Sequence, residues 1–518
     1  MRFINNLPQV ILQSIAIGTI ALFPAGAAIA QTEPPRPEAD RQTTLEQSAP
    51  AASDPAPEKP EEPATGATGE EYVQLLIEAD RLHQAGQLAE AEHLYRKAKG
   101  SFTGIEFNDR PVPIYDPALL PPAGQVYWRE ANAGQEFNLP TRVLVPLQLL
   151  NEAHPEFVPG TIRYAEVLLA QDQPEQALAV LERATSLYPE QSDLVRFRIQ
   201  TLAAQEQWLD ASIAARQFAL LNPEDPASSE LTVLAEEYLT RFRRELRGRL
   251  TGNAIANVVT GALSYALTGG LFGPLSAIDT TVLLLRGEAD VGAGVARSAQ
   301  QELDLIEDPD VVEYVNEIGQ RLASVAGREE FEYEFFVVRD PELNAFALPG
   351  GKVFINAGAI IKAKSEAELA GLLAHELAHT VLSHGFQLAT TSNVTATVLL
   401  PVPYAGSLAT DLTLFSYSRT MERQADALGT RMLASAGYAA DGLHNLMGTL
   451  DQENPSSAEF EWLSTHPDTA ERMRNLEELI EQNGYNRYTY EGVARHQAIQ
   501  ERVNRLLAEE TDANQKLE

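Results

Sequence analysis

The sequence predicts an α+β protein: a mostly helical domain with a small β-sheet, preceded by an all-α module of tetratricopeptide-like repeats. Three observations carry that expectation. Pro155, Pro189 and Pro223 recur every 34 residues, and Ala177 and Ala211 share the spacing, which is the period of a stacked helix pair. Past residue 300, two extended runs rich in aromatic and β-branched residues, 331–338 and 352–356, stand among helical segments. These are too few strands for a doubly wound parallel sheet. Finally, Ser365 followed by Glu368 reads as a capping box opening a helix over about 366–384, with Gly385 as its stop.

Arg2 precedes an uncharged apolar run over about 10–22, which is followed by the small residues Ala28 and Ala30 before Gln31. Residues 1–30 therefore read as a secretory signal peptide that directs the protein to the periplasm or cell envelope. An uncleaved membrane anchor is the alternative. With no cysteine in the chain, lipoprotein attachment, disulfide frameworks and thiol proteases are excluded. Residues 31–69 carry eight prolines among acidic and small residues, too little apolar surface to offset ordering, and read as a disordered tether. The 39 basic residues against 73 acidic ones, a net charge of −34, argue against nucleic acid and against binding anionic lipid by bulk charge.

Residues 70–240 form the expected repeat module. Ala165, Leu168, Ala177, Leu181, Ala184 and Pro189 fit the packing positions of one helix pair, and 81–98 resemble an earlier, out-of-phase repeat. A Pro- and aromatic-rich insertion separates them at about 101–140. Such surfaces bind proteins or act as spacers, so a protein partner is expected here. Residues 241–297 form an apolar, Gly-rich connector, 298–485 the main domain, and 486–518 a C-terminal helix and tail. The stretches 251–278 and 386–410 have no charged side chain, but glycines and prolines break them. They are expected as buried or peripherally membrane-touching hairpins near the cleft, and the second as a lid.

The chemistry centres on His375, Glu376 and His379. Two imidazoles four apart on a helix share one face and can aim ring nitrogens at one metal ion, and Glu376 beside them can act as general base toward water in metal-assisted hydrolysis. Glu422 and Asp426 are again four apart in a helical segment. One carboxylate could complete the ligand set while the other accepts the free N–H of a ligand imidazole; a solvated face paired to Arg419 or Arg423 is the plain reading. On the 366–384 helix, Leu369, Ala370, Leu373, Leu377 and Val381 fall on a core side, opposite His375 and His379. His384 turns away from the metal face and reads as a helix-end residue. His466, just before Pro467, could start a helix or approach the metal as oxyanion stabiliser or fourth ligand.

Residues 331–338 and 352–356, joined through the Pro349-Gly350-Gly351 turn, read as a hairpin-like sheet next to the helix. Residues 344–351 are then either a plain turn or an edge that aligns a peptide.

Four stretches in order, 344–351, 370–379, 418–426, and 464–467 with Arg472, resemble the HtpX and CAAX-prenyl-protease type of zinc metalloendopeptidase, a gluzincin family. The resemblance covers about 300–485. It implies one Zn2+ per chain held by His375, His379 and Glu422, Glu376 as the base, Asp426 behind a zinc-bound histidine, and Asn344, Ala345 and Phe346 on the substrate-binding edge. It also implies a protease of polypeptide substrates, active on unfolded or misassembled envelope proteins. The alternative is a metal-binding chaperone or scaffold of envelope assembly with little proteolytic activity.

Overall fold

The computed structural model describes residues 69–102, 111–251, 287–390, 417–453, 462, 466 and 469–515. The expected signal peptide, almost all of the tether and of the 251–278 stretch, and most of the 386–410 stretch lie outside the described residues.

The N-terminal half is a series of helix pairs. Helices α1 (Gly69–Gln84) and α2 (Leu88–Lys99) form one. After a 3-10 turn come α3 (Pro122–Glu136) with α4 (Pro140–Ala153), α5 (Val158–Ala170) with α6 (Pro174–Leu187), α7 (Ser192–Ala204) with α8 (Trp208–Leu221), and then α9 (Ala227–Thr251). The pairs opening at Val158 and Ser192 repeat after 34 residues, as do their second helices at Pro174 and Trp208. Asn138, Asp172 and Glu206, at the same spacing, all adopt positive φ (54°, 59° and 58°) in the turn inside each pair. That turn geometry is a backbone signature of the repeat.

The stretch expected as an insertion at 101–140 is thus corrected, because α3 inside it is the first helix of a further pair. Composition hid it: Gly134, in α3, lies where a Cβ would come 2.6 Å from the Arg142 backbone, so the helices meet through a glycine rather than a large apolar residue. Helices α1 and α2 pack elsewhere. Asp80 accepts from the backbone N–H groups of Glu491 and Val493, both at 2.9 Å. Lys99, buried, pairs with Asp441 at 2.6 Å and with Glu491. The first helix pair is thereby fastened to the C-terminal segment of the chain.

The second half holds α10 (Glu288–Glu302), α11 (Pro309–Ala323), strands β1 (Glu334–Val338), β2 (Ala345–Leu348) and β3 (Lys352–Asn356), α12 (Ala357–Lys362) and α13 (Glu366–Val381). It continues with α14 (His384–Thr390), α15 (Arg419–Ser435), α16 (Gly442–Glu453), α17 (Thr469–Asn483) and α18 (Val493–Gln515). The architecture is α+β, with a mostly helical domain and a three-stranded sheet. Among the described residues, no helix is long and apolar enough to cross a membrane.

The sheet order is β1-β3-β2, with β1 parallel and β2 antiparallel to β3. The expected hairpin of 331–338 with 352–356 is therefore corrected: Pro349-Gly350-Gly351 joins β2 to β3, and β1 pairs on the far side. β2, only four residues long, carries too little pattern to register as a strand in sequence. Gly350 and Gly351, at φ 80° and 95°, supply the backbone conformations the turn requires.

Helix α13 begins as expected. Ser365 Oγ accepts from Glu368 N–H at 3.1 Å, and the Glu368 carboxylate accepts from Lys364 N–H at 2.8 Å. Two expectations about the rest change. The helix is buried on every face rather than divided into a core side and a metal side, because α11, α15, α16 and β2 surround it. It also ends at Val381 instead of running to a stop at Gly385, which lies inside α14. The cause is tertiary. Arg328 donates to the Val381 carbonyl and Gln217 Nε2 to that of Leu382, both at 2.9 Å, and Ser383 turns to φ 59° while its hydroxyl donates to Glu288.

Candidate metal centre

Helices α13 and α15 cross closely because small residues stand at the crossing. A Cβ on Gly429 would lie 3.1 Å from the His375 backbone nitrogen, so the carboxylates of α15 reach the imidazoles of α13. Ser418 caps α15, its Oγ accepting from Met421 N–H at 3.3 Å.

His375, His379, Glu422 and His466, all buried, place one candidate ligand atom each within 4.8 Å of one another. His375 Nε2 lies 3.1 Å from His379 Nε2, 3.3 Å from His466 Nδ1 and 3.5 Å from Glu422 Oε2. His379 Nε2 is 3.5 Å and His466 Nδ1 2.9 Å from Glu422 Oε1. Nitrogen and oxygen ligands at tetrahedral zinc, bonded at about 2.0–2.2 Å, stand roughly 3.3–3.5 Å apart. The spacing fits such an ion, and so does the chemistry of the donors. Of the two readings of His466, the cluster favours the approach to the metal; Pro467 lies outside the described residues.

Asp426 Oδ1 is 3.0 Å from His375 Nδ1. Arg472, buried, donates to Asp426 from Nε at 2.9 Å and from Nη2 at 2.6 Å, and pairs with Glu422 at 2.9 Å. The Asp426 and Glu422 readings as a solvated face are thereby corrected, since both are buried. Glu376 is 1% exposed. Its Oε1 accepts from Trp462 Nε1–H at 2.9 Å, while its Oε2 has no hydrogen-bond partner among the described residues. A buried carboxylate oxygen left free beside a ligand cluster fits a group that handles a proton.

The electrostatics follow from burial and charge. Burial opposes ionisation of Glu422, but His466 and Arg472 hold it well below the ordinary carboxylate range. Asp426 is lowered in the same way, burial being outweighed by Arg472. Burial drives His379 well below the usual imidazole value. For His375, burial and Arg472 act downward, yet hydrogen bonds to Asp426 and Glu422 prevail and push it up to about 9.

His384 departs from the sequence expectation. It opens α14 rather than ending α13, is fully buried, and sets its Nδ1 3.0 Å from Nδ1 of His379. Its Nε2 faces Gln424 Oε1 at 3.0 Å, and burial pulls its pKa down to about 4. Five residues of continuous helix would have turned it away; the break at Ser383 brings it back. Sequence reasoning also missed Tyr417, whose ring stacks on His379 with centroids 3.8 Å apart, and Trp462, stacked on His466 at 4.9 Å. The four-residue spacing of Trp462 and His466 is a signal that could have found the tryptophan.

Asn344, Ala345 and Phe346 lie at and in β2, the edge strand beside α13. Thr380 on α13 donates to the Leu348 carbonyl at 3.3 Å.

Residues 309–480 match the family model described as Peptidase family M48. The mitochondrial metalloendopeptidase OMA1 of Schizosaccharomyces pombe is 35% identical over 176 residues, which is 32% of this chain and 52% of that protein. A putative beta-barrel assembly-enhancing protease of Vibrio cholerae is 30% identical over 221 residues, 39% of this chain and 46% of the relative. The Escherichia coli beta-barrel assembly-enhancing protease is 27% identical over 245 residues, 43% of this chain and 50% of the relative. The matches span about half the length of these curated relatives.

Proposed function

We propose that this chain, whose residues 309–480 form a peptidase family M48 domain, is a zinc-dependent endopeptidase of the cell envelope that cleaves unfolded or misassembled proteins. The observation that carries the reading is buried Glu376, its Oε1 3.6 Å from His466 of the cluster of three imidazoles and Glu422 and its Oε2 without a hydrogen-bond partner among the described residues. In this account His375, His379 and Glu422 hold the ion. Zinc at such a site supplies Lewis acidity, polarising a peptide carbonyl and lowering the pKa of water.

The chain's own groups do the rest. Glu376 takes the proton of the attacking water and returns it to the leaving amine. Trp462 donates to Oε1 of that carboxylate, which stands 3.6 Å from His466 Nε2, and Oε2 is left to take the proton. Asp426 keeps the Nδ1 proton of His375 and leaves Nε2 for the metal. The His466 ring either donates to the oxyanion developing on the carbonyl or takes the fourth ligand position. An extended substrate adds to the β2 edge, with Asn344, Ala345 and Phe346 aligning its backbone.

The helix pairs of the N-terminal half recruit substrate or a protein partner. The envelope location rests on the apolar N-terminal run and the tether. The beta-barrel assembly-enhancing name of two relatives agrees with a substrate pool of envelope proteins.

Casein cleavage tests the reading: it should stop on chelation and return with zinc, and His466→Ala should retain zinc while its rate changes. A protein that binds zinc and leaves casein intact supports the metal-binding scaffold instead.

A further inference from the structure

Each of the two histidines on α13 is met from α15, but by different routes. Asp426 reaches His375 directly, at 3.0 Å. Gln424, two residues earlier, meets His384, and His384 meets His379. We infer that Gln424 and His384 are positioning residues that fix the tautomer of His379, leaving its Nε2 lone pair facing the cluster. The inference rests on the zinc reading above and deepens it.

The Gln424 carbonyl oxygen, 3.0 Å from His384 Nε2, can only accept, so that nitrogen carries a hydrogen. His384 is fully buried, with no carboxylate in hydrogen-bond reach among the described residues. A neutral ring with its hydrogen on Nε2 has a lone pair on Nδ1. The two Nδ1 atoms of His384 and His379 stand 3.0 Å apart and share one hydrogen; it therefore belongs to His379. A neutral His379 protonated at Nδ1 presents a lone pair at Nε2, the atom 3.1 Å from His375 Nε2 and 3.5 Å from Glu422. Were the Gln424 amide to present its NH2 group instead, every hydrogen in the chain would shift and His379 Nε2 would be protonated, unable to ligate.

The relay can be read without turnover. In zinc-free protein, long-range proton–nitrogen spectra of labelled histidines should show His379 protonated at Nδ1. Gln424→Leu should mix the tautomers and weaken zinc, by chelator competition, roughly ten- to a hundredfold, the range for lost outer partners of metal ligands. Gln424→Glu, which still accepts from His384 at mildly alkaline pH, should keep the wild-type tautomer and affinity. A wild-type His379 protonated at Nε2 overturns the relay whatever the variants do, and so does a folded Gln424→Leu protein with unchanged tautomer and affinity. Wild type that binds no zinc at all overturns the zinc reading and the relay with it.

Discussion

Asp426 Oδ1 stands 3.0 Å from Nδ1 of His375, and the same carboxylate takes two hydrogen bonds from Arg472. The arginine thus holds the acid that holds the imidazole, and all three side chains are buried. Asp426→Asn keeps the shape but removes the charge that both neighbours need. It should weaken zinc by about ten- to a hundredfold, measured by chelator competition on folded protein. An affinity equal to wild type would remove Asp426 from the account.

The elevated pKa of His375, about 9, predicts a pH dependence of metal binding. Below that value the ring carries a proton on each nitrogen, and a ligand must lose one. Zinc affinity should therefore climb about tenfold per pH unit from neutrality and level off near 9. In zinc-free protein the sign is opposite. A raised imidazole stabilises the fold fully below its ordinary value of 6.5, and that contribution is lost as pH rises through about 9. Isothermal titrations across that interval check both; zinc affinity independent of pH would refute the assignment.

Lys99 fastens the first helix pair to the C-terminal segment through Asp441 and Glu491, with all three side chains at most 2% exposed. Lys99→Met leaves buried Glu491 without its cation and Asp441 with Arg487 alone, at 3.0 Å, and should cost about 3–5 kcal/mol in urea denaturation. Burial opposes ionisation of Asp441, but Lys99 and Arg487 bring it down to about 2. Its contribution is present above the ordinary 3.8 and is lost as pH falls through about 2. A stability change near zero would mean that this contact is incidental to the fold.

The clearest part of the site was legible because its residues sit at helical spacing within single elements. His375 and His379, like Glu422 and Asp426, are four apart, and α13 and α15 bring both pairs together. The capping at Ser365 was legible for the same local reason. What depended on distant partners was not. The end of α13 at Val381 is decided by Arg328, Gln217 and Glu288, none of them near it in sequence, and with it the inward turn of His384. The parallel pairing of β1 was hidden by a four-residue strand. The first of the 34-residue helix pairs was hidden by glycine contacts at its crossing.

Glu376 is central: Trp462 donates to one of its oxygens, and the other has no hydrogen-bond partner among the described residues. The most direct measurement is zinc content together with casein cleavage for wild type and Glu376→Gln, a change that preserves shape and removes the base. The account predicts equal zinc in both and a cleavage rate lower by about two to four orders of magnitude in the variant. Equal rates in the two proteins would contradict it.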